Sequence, residues 1–300
     1  MRNSRRLLAF IGFLTLLFGL AMLHPYPRQA LFGPTIRGVP WCVWEEEIRR
    51  HANRQQYENS LWFWFRDKMG VEPEPMADAE LYDHAEMLPL LLLLAADKHR
   101  DVRGEILQAI RNYPCLRDPS CVPMLRSRIA EDDYQENRLK AAFLLWEMVK
   151  DKVALPVIAR DIKNRDCIDM GGGSMIGIFD GGDAMHRLGQ ICVEAPEMMP
   201  TLCEFARHPD FNHCSSYALH VGTQLGVKGI PVLVACLDNK EPHVRIRAVM
   251  ALGGHRSAAV SAIPALERRR FDSDKDIRDC TRHALQLIDP VRFQSLSDEP

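Results

Sequence analysis

The strongest constraint on this chain is a proline that recurs in a fixed apolar setting. Proline breaks a helix interior, because it lacks an N–H and its ring meets the carbonyl of the preceding turn, but it suits a helix's first turn. Six segments share one register: Met87-Leu88-Pro89-Leu90-Leu91, Cys121-Val122-Pro123-Met124-Leu125, Ala154-Leu155-Pro156-Val157-Ile158, Met198-Met199-Pro200-Thr201-Leu202, Gly229-Ile230-Pro231-Val232-Leu233 and Ala262-Ile263-Pro264-Ala265-Leu266. The steps between prolines are 34, 33, 44, 31 and 33 residues. The positions one before and two after each proline are apolar, and the sixth after it is apolar in five copies (Ala95, Ile129, Ile162, Ala206, Leu237), with Arg270 in the last. Offsets of three and seven mark one helical face, so each proline opens a helix with one buried side.

A second amphipathic helix follows each polar turn. Val102-Arg103, Val244-Arg245 and Ile277-Arg278 begin 13 residues after their prolines, with Arg138 one place later. An acid precedes each arginine by six or seven residues: Asp97, Asp132, Asp238 and Asp272. Apolar stripes such as Val102, Ile106, Ile110 and Ile277, Cys280, Ala284, Ile288 continue behind the arginines. One hairpin of this size cannot bury both of its apolar faces, so the copies must stack on one another. The expected fold is all-α: an α-α superhelix of about six helical hairpins over residues 80–289, followed by a tail at 290–300.

The apolar-apolar-Pro opening, the turn aspartate and the Val-Arg start of the second helix resemble HEAT repeats, an armadillo-like α solenoid. The period near 33 is similar to the short, phycobilisome-lyase-type HEAT-like variety. The resemblance implies that Asp97, Arg103, Asp132, Arg138, Asp238, Arg245, Asp272 and Arg278 form a ladder between neighbouring hairpins. Gly38-Val39-Pro40-Trp41-Cys42-Val43-Trp44 resembles the lead-in of membrane-attached bacterial HEAT proteins. HEAT-like repeats also build the di-iron deoxyhypusine hydroxylases, whose ligands are His-Glu pairs; the eleven histidines here include no His-Glu dipeptide. The tetratricopeptide signature is absent.

Residues 1–24 read as an anchor or signal. Leu7 to Leu23 are 17 positions without a charge, preceded by Arg2, Arg5 and Arg6 and followed by His24-Pro25-Tyr26-Pro27. At 1.5 Å per residue they span about 25 Å, a little under the roughly 30 Å hydrocarbon core. No small-x-small cleavage site follows, which favours an uncleaved single-pass anchor; secretion after signal cleavage is the alternative. The arginine balance, with Arg28 and Arg37 after the segment, places the N-terminus in the cytoplasm and the repeats on the outer side.

Residues 25–79 read as an aromatic-rich helical cap and an acidic linker. Trp41, Trp44 and Ile48 fall on one helical face, and Leu61, Trp62, Phe65 and Met69 on a second, as covers for the first hairpin's open end. The 44-residue step holds a Gly-rich insertion at 166–183 that lacks the spacing of a phosphate loop, a nucleophile elbow or a calcium loop. None of the nine cysteines forms a C-x-x-C pair. Cys192, Cys203, Cys214, Cys236 and Cys280 read as core hydrophobes, whereas Cys115 and Cys121 bracket a turn and are spaced to close a disulfide worth about 2 kcal/mol. His213, His220, His243 and His283 fall on second helices as a candidate partner surface.

No catalytic constellation, cofactor site or metal site emerges. With 40 acids against 38 bases and a net charge of -2, the chain lacks the basic excess that grips nucleic acid. The expectation is a non-catalytic, membrane-anchored scaffold that binds a protein through the concave face of its solenoid and the Gly-rich loop. The alternative is a lyase-type enzyme, or enzyme accessory, acting on a small molecule or chromophore. If the ladder is structural, Arg245→Ala lowers stability by about 1.5–3 kcal/mol, the worth of a charged hydrogen bond; an unchanged denaturation midpoint would reject it.

Overall fold

The computed structural model describes residues 15, 19, 33–52, 81–164, 181–207 and 215–294. The apolar stretch 7–23, the second aromatic helix, the linker 70–79 and residues 165–180 of the insertion lie outside these, apart from Thr15 and Gly19. Among the described residues no helix is long and apolar enough to cross a membrane. The chain divides into two compact units, Met1–Ala154 and Leu155–Pro300.

The first unit opens with β1 (Thr35–Ile36) and β2 (Val39–Pro40), paired antiparallel. The turn between them places Arg37 at φ 53 and Gly38 at φ 79, left-handed geometry that suits a two-residue hairpin. This pairing departs from the all-helical cap expected for residues 25–79. Alternating residues in so short a stretch carry no period-2 signal, and Arg37 is not a residue that announces a left-handed turn. Helix α1 (Trp41–Ala52) follows, with Trp44 and Ile48 buried and Trp41 half-buried. Trp44 Nε1 donates to Ile36 O at 3.2 Å, which ties the strand pair to the helix.

Two hairpins complete this unit: α2 (Leu88–Leu94) with α3 (Arg100–Asn112), and α4 (Cys121–Glu131) with α5 (Gln135–Val149). Helix α1 packs on α2 and α3, and α3 packs on α5. Leu90, Leu91, Ile106, Ile110, Leu125 and Leu139 are fully buried, so the apolar stripes meet between successive pairs.

The second unit carries α6 (Ala154–Asn164) with α7 (Gly181–Glu194), α8 (Met199–Ala206) with α9 (Ser216–Gln224), α10 (Ile230–Cys236) with α11 (Pro242–Gly254), and α12 (Ile263–Arg269) with α13 (Lys275–Ile288). Gly181, Gly182 and Asp183, read from sequence as the end of the insertion, are the first residues of α7. Second helices pack in succession, α7 on α9, α9 on α11 and α11 on α13, while α8 packs on α10. Two layers result, one of proline helices and one of second helices. Each proline stands in the first three residues of its helix, where the missing N–H costs nothing. The architecture is therefore helical hairpins in series, as in an α-α solenoid.

Close packing in this unit depends on glycine at one turn. A Cβ at Gly229 would lie 1.8 Å from Gly222 O, and Gly226 adopts φ 59, so the connection from α9 to α10 tolerates no side chain at Gly229 and strains one at Gly226.

Candidate functional site

Five buried polar residues, Arg103, Asp132, Asn239, Arg245 and Asp272, gather at the turns between paired helices, where one arrangement repeats. An Asp or Asn follows the proline helix by one to three residues, and its side-chain oxygen accepts the backbone N–H two residues on. The donors are His99 to Asp97 at 2.8 Å, Tyr134 to Asp132 at 3.0 Å, Glu241 to Asn239 at 2.9 Å and Asp274 to Asp272 at 3.1 Å. Such turns fix the chain direction just before the next helix starts.

The arginine six residues later locks the turn from the other side. Nη1 donates to the backbone carbonyl of the turn residue: Arg103 to Asp97 at 2.9 Å, Arg138 to Asp132 at 2.9 Å, Arg245 to Asn239 at 2.9 Å and Arg278 to Asp272 at 2.8 Å. The other edge of the guanidinium reaches the next hairpin. Arg103 grips both oxygens of Asp132 at 2.8 and 2.9 Å and also pairs with Asp133, and Arg245 grips both oxygens of Asp272 at 3.1 and 2.9 Å. All four of these paired Arg and Asp side chains are buried. Bidentate, charge-assisted pairing of this kind gives direction as well as energy, which sets the register of one hairpin on the next.

Two members of the ladder escaped the sequence reading. Arg49 on α1 pairs with Asp97 Oδ2 at 2.6 Å, so the cap helix supplies the first rung. The cue was present: Ile48-Arg49 has the same apolar-Arg form as Ile277-Arg278. The second concerns Asp238, which is not a rung residue. It is part-exposed and meets Arg269 of α12 at 2.6 Å, while its neighbour Asn239 occupies the turn position and donates from Nδ2 to Ala206 O at 3.1 Å. In the register that sets Ser216 of α9 beside His243 of α11, the residue in the place of Arg245 is the buried Ala218. With no arginine at that place, a carboxylate would be buried without a counter-charge, and a neutral amide fits instead.

The other candidate residues fall as follows. Cys115 and Cys121 are free thiols, so the disulfide that their spacing allows is not formed. Cys121 is buried with its Sγ on Leu116 O at 3.3 Å, while the exposed Cys115 turns to Tyr82 O at 3.6 Å. The two thiols are thus held by different partners. Burial, with a smaller contribution from neighbouring Cys203, pushes the thiols of Cys192 and Cys236 up to about 12, which makes them packing groups rather than nucleophiles. His213 lies outside the described residues. His220, His243 and His283 are exposed on α9, α11 and α13. Among the described residues, no group of three or more His, Cys, Asp or Glu is placed to hold a metal ion.

The exposed side of the second-helix layer forms a stripe in the second unit. On α11 it is His243, Arg247, Met250 and Gly254, spaced by four, three and four, opposite the buried Val244, Ala248, Val249 and Leu252. The same register gives Ser216, His220 and Thr223 on α9, and Asp276, Cys280, His283 and Leu287 on α13. Met250 is 63% exposed, and a Cβ at Gly254 would meet nothing within 4 Å. Only Arg247 and Asp276 in this stripe carry a full charge at neutral pH.

Neither a family model nor a curated protein matches this sequence. Among solved structures, the chain is similar to human deoxyhypusine hydroxylase in complex with glycerol, at 16% identity over 83% of this chain and 97% of that one, with a TM-score of 0.32. That score is too low to carry an argument about either fold detail or function.

Two outcomes test the ladder. Arg245→Ala strips the buried Asp272 of its main counter-charge, so the cost rises to about 3 kcal/mol, the scale of a broken buried pair, read from urea denaturation. Asn239→Asp removes the donor to Ala206 O and sets a buried carboxylate against that carbonyl, for a loss of about 2–3 kcal/mol by the same measurement. A third concerns pH. Burial alone would raise the Asp272 carboxyl, but the Arg245 fork, the Asp274 N–H and Arg269 outweigh it and lower the pKa. A lowered folded-state pKa means the stabilisation is complete above the unfolded value of about 3.9 and fades as pH falls through the folded one. Asp272→Asn should therefore flatten the loss of stability below about pH 4, and an unchanged acid slope would count against the rung.

Proposed function

We propose that this protein is a non-catalytic scaffold of the HEAT-like type that binds another protein through the exposed stripe of α9, α11 and α13. Residues 7–23 attach it to a membrane with the repeats on the outer side, and the Gly-rich insertion contributes to the same recognition. The observation that carries the reading is the make-up of the stripe. It is depleted of charge in a chain that is 26% charged, and it centres on an exposed methionine beside an arginine. Interface cores are depleted of charged residues and enriched in Met and Arg. Further support comes from the buried Arg103, Asp132, Arg245 and Asp272, which are engaged in rungs that hold helices together rather than aimed at a reacting atom. An array of hairpins also presents successive helices at regular spacing, which suits an extended protein partner better than a small substrate.

Crosslinked affinity capture from the native membrane tests this reading, with wild type compared against Met250→Asp. The substituted side chain is solvent-exposed, so the melting temperature should stay within about 1 °C while at least one partner captured by the wild type disappears. Identical captures would refute the stripe as the binding surface. A metal and absorbance survey of residues 25–300 is the complementary measurement, because a bound ion or pigment would point to the catalytic alternative instead.

A further inference from the structure

The rung arginine of α13 meets no following hairpin among the described residues. Arg278 holds its own turn as the other rung arginines do, with Nη1 on the carbonyls of Asp272 and Ser273 at 2.8 and 3.1 Å. In Arg103 and Arg245 the Nε and Nη2 edge then grips both oxygens of the next hairpin's aspartate. No hairpin follows α13 among the described residues, and the corresponding edge of the half-buried Arg278 makes no hydrogen bond or ion pair there. A second position agrees. Asp238, just before turn residue Asn239, meets Arg269 of the following hairpin. The residue just before turn residue Asp272 is Phe271, which is 84% exposed. By the repeat of the fold, Phe271 and the Arg278 edge point toward the same place.

The far end of the last hairpin differs. On α11, Gly253 packs toward α13, where its Cβ would lie 3.1 Å from Ala284 Cα. Its register equivalent on α13 is Gln286. A polar residue there does not suit a further hairpin packed along the whole length of α13. Only the turn end stays unfinished, and it offers a fixed guanidinium fork next to an exposed aromatic ring.

We infer that this turn end is a docking site for an acidic protein segment, one that presents an aspartate in a turn ahead of a helix, with its carboxylate taken by Arg278 and an apolar neighbour on Phe271. Charge complementarity selects the occupant, because the same fork takes an aspartate of that kind at Asp132 and at Asp272. The site is separate from the Met250 stripe and stands or falls without it.

The probe is an acetylated, amidated peptide of residues 129–136, the acidic turn gripped by Arg103, added to full-length protein in detergent with 15N-labelled arginine. The Arg278 Nε–Hε signal, assigned by its loss in Arg278→Lys, should shift saturably. The Asp132→Asn peptide, which keeps Glu131, Asp133 and Glu136, should bind at least fivefold more weakly. Phe271→Ala should weaken binding and Met250→Asp should not change it. No shift, or equal shifts from the two peptides, would overturn the assignment. Concentration-dependent dimerisation that needs Arg278, without a peptide response, would make a second copy the occupant and overturn it as well.

Discussion

The buried guanidinium shared between two hairpins is the interaction on which the rest of this fold depends. Apolar stripes bring helices together, but they are permissive about sliding and rotation, because methyl groups of similar size replace one another at little cost. Arg103 and Arg245 are not permissive. Each guanidinium is buried and must satisfy donors in two directions, toward carbonyls of its own turn and toward a carboxylate of the next one. Only one relative placement of the hairpins meets both demands, so the costly burial of charge converts a sticky stack into one with a single register.

The same constraint accounts for the exceptions. Where α9 has Ala218 in place of a rung arginine, the next turn carries Asn239 rather than aspartate and makes a neutral bond to Ala206 O. Where no proline hairpin precedes the first turn, α1 supplies Arg49 to meet Asp97. Charge enters the interior in matched pairs and leaves it in matched pairs. The glycines obey a related logic of close approach: Gly229 sits against Gly222 O because the second-helix layer and the next proline helix meet there without room for a methyl group.

How far the sequence reveals this follows from the range of each interaction. The helix starts are legible because a proline's effect is local, and Pro89, Pro123, Pro156, Pro200, Pro231 and Pro264 each stand in the first turn of a helix. Three of the four turn acids are legible for the same reason, since Asp97, Asp132 and Asp272 stand six residues before their arginines. Asp238 stands seven before, and that one-residue discrepancy was the cue that Asn239 holds the place. Arg49 was legible only as a type, through its apolar-Arg form, because its partner Asp97 lies 48 positions away and spacing does not pair residues at that range. The strand pair at 35–40 was hidden because two residues per strand cannot show a period. The exposed stripe was half visible: His220, His243 and His283 were singled out, but Arg247, Met250 and Gly254 gain meaning only when burial shows which side of α11 is bare.

The division of labour between the two kinds of arginine explains why a fold with so many charged side chains offers so little sign of chemistry. A catalytic charge has to be held ready while lacking a permanent partner, and that costs stability. Here Asp132 and Asp272 are fully engaged, and the thiols of Cys192 and Cys236 are driven away from reactivity by their surroundings. Two outward-facing cations stand beside exposed apolar groups: Arg247 beside Met250, and the outer edge of Arg278 beside Phe271. Both combine a single cation with an exposed apolar group, which is the minimum that gives a protein contact both affinity and orientation. The rung charges are committed between hairpins, while Arg247 and the outer edge of Arg278 face outward next to apolar side chains, and the proposed binding role draws on that contrast.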